Sequence, residues 1–215
     1  AKVVSKEEVG QDYFFRLDDK TPDKLVPRMP QSAGASEDTT TPRVCVGTTL
    51  MGCISSISRT FNDFKYPFHK SEDFKGGYAL SIIKYDYAVK VKPKLVFDVE
   101  KTNEHWLCAM TQSQKEFKPK TVGKFFISQA VITPTGAKPV DGFLNHKRIG
   151  ITAYLEVNEE VQVNVNDTTQ VGTGFYRLEY DDYEFESSNR AKLQIAYDCP
   201  VSVSAVDKAE YYQAK

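Results

Sequence analysis

The chain has 215 residues, 40% of them hydrophobic and 27% charged, with a formal net charge of −1. That balance excludes a disordered chain, which lacks the apolar surface to offset its ordering entropy, and no apolar run approaches the ~20 residues of a membrane-spanning helix. Residues 1–133 carry 20 Lys/Arg against 16 Asp/Glu, and residues 134–215 carry 8 against 13, which suits two surfaces with different partners, two subdomains facing each other, or an unevenly charged solvated surface.

Residues 1–11 are charged rather than apolar and do not read as a signal peptide. The first predicted strand is Tyr13–Leu17, where aromatics favour a pleated, half-buried surface. A long loop, Asp18–Pro42, follows with four prolines. Loops of that length without structure of their own are usually functional or disordered, and this one is expected to act as a ligand lid. Arg43–Val46 reads as the next strand and runs straight into a helix. Thr48 or Thr49 caps it by accepting a bond from a free backbone N–H, and Leu50, Ile54, Ile57 and Phe61 recur at helical spacing, with Cys53 on the same side.

Strands dominate from there: Tyr78–Asp86, Tyr87–Val91, Leu95–Val99, His105–Met110 and Lys124–Ile132. Period-two alternation puts Lys90, Lys92 and Lys94 on one face, which reads as solvated sheet surface. The Pro- and Gly-bearing stretch Thr133–Gly142 is the expected domain boundary. Beyond it, Ile149, Ile151, Ala153 and Leu155 alternate, as do Val161, Val163 and Val165. Phe175–Phe185 and Lys192–Tyr197 complete a meander, with tight turns expected at Asn158-Glu159 and Asp181-Asp182. The predicted fold is α+β and β-rich. A small mixed α+β half, residues 1–133, precedes an antiparallel, meander or sandwich-like β half, residues 134–215.

Phosphate-loop, dinucleotide, zinc-protease, serine-hydrolase and calcium-loop motifs are all missing from the sequence. Cys45, Cys53, Cys108 and Cys199 form no CxxC pair and have no histidine at zinc-like spacing. They read as reduced thiols of a cytoplasmic protein, with no metal site. The acidic run Asp181, Asp182, Glu184, Glu186 reads as solvated surface. Lysines flanked by Tyr85, Tyr87 and Phe117 are a weak signal for single-stranded nucleic acid, in a chain of pI about 6.4.

The remaining constellation is Arg16 on the first strand, Thr48 and Thr49 at a strand-to-helix turn, and Glu104 before the His-Trp-Leu-Cys strand. It resembles the core of ADP-ribosyltransferase-like proteins, including their RES-type and RNA 2′-phosphotransferase-like branches. The resemblance implies that Arg16 and Arg28 hold the phosphates of NAD and that Thr49, with Thr48 beside it, orients the ribose. Glu104 would stabilise positive charge developing at the anomeric carbon. A second likeness lies in Pro27-Arg28-Met29-Pro30, Arg43-Val44-Cys45-Val46 and the later Thr102, Glu104, Trp106. This pattern is similar to a group of uncharacterised phage and Gram-positive bacterial proteins, over about the first half of the chain.

Three functions stand open at this point. The first is an NAD-like nucleotide binder of phage or bacterial origin, either an ADP-ribosyltransferase or a decayed relative. The second is a non-enzymatic virion or host-interaction protein that meets a partner through its acidic β-rich half. The third is a single-stranded nucleic-acid binder. The expected place is the bacterial host cytoplasm, or the virion if the protein is structural, with no membrane partner.

Overall fold

The computed structural model describes residues 2–5, 8, 10–29, 40–57, 77–85, 87–90, 102–109, 115–134, 143–187 and 196–215. Residues 30–39 of the expected lid, Phe61, Lys92, Lys94, the strand 95–99, most of the boundary segment and residues 192–195 lie outside them. In chain order the described strands are β1 (Lys2–Ser5), β2 (Tyr13–Asp18), β3 (Val44–Val46), β4 (Tyr78–Lys84), β5 (Tyr87–Lys90) and β6 (His105–Leu107). They continue with β7 (Lys120–Pro134), β8 (Phe143–Val157), β9 (Val163–Asn164), β10 (Gln170–Val171), β11 (Gly174–Ser187) and β12 (Val201–Ala205). Helix α1 spans Leu50–Ile57 and α2 spans Lys208–Ala214.

Six strands form one antiparallel sheet in the order β12-β11-β8-β7-β4-β2. The protein is therefore β-rich around a large antiparallel sheet, as its aromatic and β-branched alternation predicts. That sheet takes strands from both sides of residue 134, and β7 pairs with β8 from Gly123↔Val157 to Pro134↔Lys147. The expected 1–133/134–215 division is not marked by any break in it. A four-stranded sheet, β1-β5-β6-β3, lies beside it, joined where Phe15 and Gly47 exchange backbone bonds of 2.8 and 2.9 Å.

Alternation along β2 decides how the two faces are filled. Phe15 and Leu17 face the main core, with Leu80 and Ile82 of β4, Phe125 and Ile127 of β7, and Ile151, Ala153, Leu155 and Val157 of β8. Helix α1 covers this face with Leu50, Met51, Cys53 and Ile54, beside Val163 and Val165. Burial extends round α1 as far as Ser55, wider than the single stripe its spacing predicts, because the helix is sunk in the core. Its Met51 N–H, one of the donors a first helical turn leaves unsatisfied, bonds Val165 O at 2.9 Å.

Phe14, on the opposite face, packs with Ile83, Tyr85, Val44, Val46, Leu107 and Phe117. Farther along that face Phe126 and Tyr154 are covered by Tyr211 of α2, a helix the sequence reading does not anticipate. Two turn assignments also need correction. Asp181 and Asp182 lie inside β11, opposite Gly150 and Ile149, because the long partner β8 carries the ladder past two residues of poor strand propensity. Asn158-Glu159 opens a longer excursion that contains the β9–β10 hairpin, and β8 pairs instead with β11.

Candidate functional site

The strand-to-helix junction 43–57 positions the site. Thr49 is the helix cap: its Oγ1 accepts the Gly52 N–H at 3.0 Å, and its carbonyl accepts the Cys53 N–H at 3.3 Å. Gly52 sits mid-helix for a steric reason, since a Cβ there would stand 2.9 Å from the Thr102 carbonyl oxygen. The missing side chain lets segment 102–104 lie directly against α1. Asn103 takes a left-handed backbone, φ 52°, which asparagine tolerates better than most residues. Its side-chain amide donates to Thr48 Oγ1 at 3.3 Å, its carbonyl meets His105 Nδ1 at 2.9 Å, and the Glu104 N–H donates to Thr102 Oγ1 at 3.2 Å. Glu104 thus leaves a turn that is fixed on every side.

β3 pairs with β6 through Val44↔Leu107, Cys45↔Trp106 and Val46↔His105. Alternation then puts Arg43 and Cys45 on the face shared with Trp106. The Arg43 guanidinium lies 4.0 Å over the Trp106 ring, and its Nη1 donates to Thr41 O at 3.1 Å. Cys45 links the two charged candidates. Its carbonyl accepts from Arg16 Nη1 at 2.9 Å, and its thiol lies within electrostatic reach of the Glu104 carboxylate. Burial first, and then the Glu104 charge, push the Cys45 thiol well above its ordinary range, against the opposing pull of Arg43 and Arg16. Burial likewise pushes the Cys53 thiol up to about 12. Both are protonated thiols near neutral pH, unsuited to nucleophilic work. Arg16 Nε is ion-paired with Asp18 at 3.0 Å.

Arg16 borders two cavities. One, of about 130 Å³, is lined by Arg16, Cys45, Gly47, Cys53, Ser56 and Glu104 among others. The other, of about 320 Å³, is lined by Arg16, Asp18, Lys24, Val26, Arg28 and Arg43 among others. Arg16 and Glu104, 88 positions apart in the chain, therefore meet at one opening, and Arg16 and Arg28 meet at the next. Thr49 is 3% exposed and lines neither. Thr48 is tied to Asn103 beside Glu104. Lys24, Arg43, Cys45 and Asn103 are not among the site residues that the sequence reading names. Gly52, a glycine inside a helical pattern, is the one signal that points to the close approach of 102–104.

Comparison with protein-family models, curated proteins and solved structures finds no match.

Among the described residues no group of three or more His, Cys, Asp or Glu could hold a metal ion, and no helix is long and apolar enough to cross a membrane. The four cysteines are free thiols. Because Thr49 works as a cap, Thr49→Ala is expected to lower stability by about 1 kcal/mol and Thr49→Ser by a few tenths. Urea unfolding of the two variants checks this; equal losses would show that the hydroxyl does not cap α1.

Proposed function

We propose that the protein binds an NAD-like nucleotide across Arg16, with the ribose at Glu104 and the phosphates toward Arg28. The observation that supports this reading is the position of Arg16, which borders both the Glu104 cavity and the Arg28 cleft. The smaller cavity matches a ribose or a single small ring in volume. The larger one falls at the low end of the range that ligand pockets occupy, about 300–1,000 Å³. Each group has a chemical reason to be there. A carboxylate accepts hydrogen bonds from ribose hydroxyls and stabilises an oxocarbenium-like centre, while guanidinium groups hold phosphate oxygens in pairs.

Titration calorimetry with NAD tests binding, and nicotinamide release tests chemistry. Glu104→Gln is expected to keep NAD affinity within a few-fold and to slow nicotinamide release by about 10²–10³-fold. Absence of heat at millimolar NAD removes the reading. Heat without release leaves a binding module and removes the transferase.

A second reading, a virion or host-interaction protein, has one observation in its favour. β12 closes the sheet order, and its outer edge has no partner strand among the described residues, an arrangement open to strand addition. A stable complex with a virion or host protein, in a chain inert to NAD, would select it. Of the seven lysines behind a nucleic-acid reading, Lys90, Lys92, Lys94, Lys115, Lys118, Lys120 and Lys124, two, Lys92 and Lys94, lie outside the described residues.

A further inference from the structure

The larger cavity holds an arrangement that a purely structural role leaves unexplained. Leu25–Arg28 runs beside the main body as an extended strip, anchored where Leu25 and Phe117 exchange bonds of 2.8 Å. At its far end Arg28 and Arg43 are directly opposed, each donating its N–H to the other's carbonyl at 3.1 and 3.0 Å. Residues paired in this way carry their side chains on the same face, and like charges so placed repel. Arg16 and Lys24 border the same cleft, with Asp18 the one carboxylate among its described lining residues.

Local partners absorb part of that charge but not all of it. Arg16 is paired with Asp18, and Lys24 meets Glu116 at 3.2 Å on the surface. Arg43 is buried, with its guanidinium over Trp106 and bonded to Thr41 among other partners. Arg28 is exposed, and no side-chain partner for it is found among the described residues. Arg28 therefore brings to the cleft a positive charge that no described side chain pairs. On one wall stands Val26, one of two large hydrophobic residues left exposed among the described residues.

We infer that this cleft is a site for esters of pyrophosphate. Two linked phosphates lie against Arg28, Arg43 and Arg16, and the organic group rests on Val26. The inference rests on the phosphate half of the reading above and does not require Glu104. Two bridged phosphates suit the cleft better than one. Its cations come from separate strands, and each guanidinium presents a fork that takes two oxygens. A bound dianion also offsets the Arg28 charge, which no described side chain pairs, and so relieves a local strain at that residue.

That strain makes the test decisive. Melting temperature and calorimetry are measured with inorganic pyrophosphate, orthophosphate and NAD on the wild type, Arg28→Ala and Glu104→Gln. Pyrophosphate is expected to bind the wild type at least ~10-fold more tightly than orthophosphate. Arg28→Ala should raise the apo melting temperature by about 1–4 °C and weaken pyrophosphate binding by about 10-fold or more. Glu104→Gln should not weaken pyrophosphate binding. Equal affinity for the two anions overturns the inference, and so does pyrophosphate binding that ignores Arg28→Ala. A lower apo melting temperature in Arg28→Ala overturns it as well, by making the pair structural. Pyrophosphate binding without NAD binding supports the inference and removes the NAD reading; NAD binding without pyrophosphate binding does the reverse.

Discussion

Gly123→Ala is expected to destabilise the protein by about 3–5 kcal/mol, close to the largest effect a single methyl group can have. Gly123 lies in β7, between β4 and β8, opposite Leu80 on one side and Val157 on the other. A Cβ there would meet the Glu156 carbonyl oxygen and stand 3.0 Å from the carbon of the same carbonyl. Both are backbone atoms of a central strand, so no rotamer change can make room. The ladder to β4 shifts at this point, Leu80 pairing with Gly123 and Ser81 with Thr121, which leaves Val122 as the extra residue of a bulge. The Val122 carbonyl instead accepts the Asn158 N–H at 2.9 Å, and its side chain is fully buried. Glycine thus allows the close approach that the bulge produces. Gly77→Ala serves as the control, since a Cβ there meets nothing nearer than 3.8 Å, and its cost should stay within about 0.5 kcal/mol. Chemical denaturation of the pair decides the matter. A Gly123→Ala loss no greater than that of Gly77→Ala would sink the account.

The second large effect is expected at Trp106. The ring is 1% exposed and packs beneath the Arg43 guanidinium. Trp106→Ala should cost about 3–5 kcal/mol from the cavity alone. It also removes the aromatic face that stabilises a desolvated guanidinium by about 2 kcal/mol or more. Trp106→Phe should be far milder, about 1.5 kcal/mol or less. A ring stays beneath Arg43, and the buried indole N–H it replaces has no hydrogen-bond partner among the described residues. This is the one tryptophan of the chain, so unfolding of both variants must be followed by circular dichroism rather than by fluorescence. Losses of equal size would show that the ring does not support Arg43.

What the sequence made readable was local. Alternation in Tyr13–Leu17 and in Ile151–Leu155 marks strands whose faces are filled in turn, and Thr49 before Leu50 marks a helix start; each rests on neighbours within a few residues. Asp181-Asp182 misled because strand propensity is weak beside a long partner such as β8. The candidate site divides in the same way. Arg16, Arg28 and Glu104 stand out as residue types suited to phosphate and ribose chemistry, and their cavities place Arg16 with each of the others. The opposition of Arg28 to Arg43 and the approach of Cys45 to Glu104 depend on which strands pair. Pairing across a dozen or more residues leaves no mark in local composition. Thr49 shows the converse, a hydroxyl whose position suits two roles in sequence and whose observed bond is the cap.

The bare α-carbon at position 52 has a mechanical consequence. With the Thr102 carbonyl seated against it, α1 and the 102–104 turn have almost no clearance in which to slide. The Glu104 carboxylate is consequently indexed to the helix, and through Met51 and Val165 to the β9 hairpin. The backbone that carries Glu104 is thereby held in place at the rim of the opening.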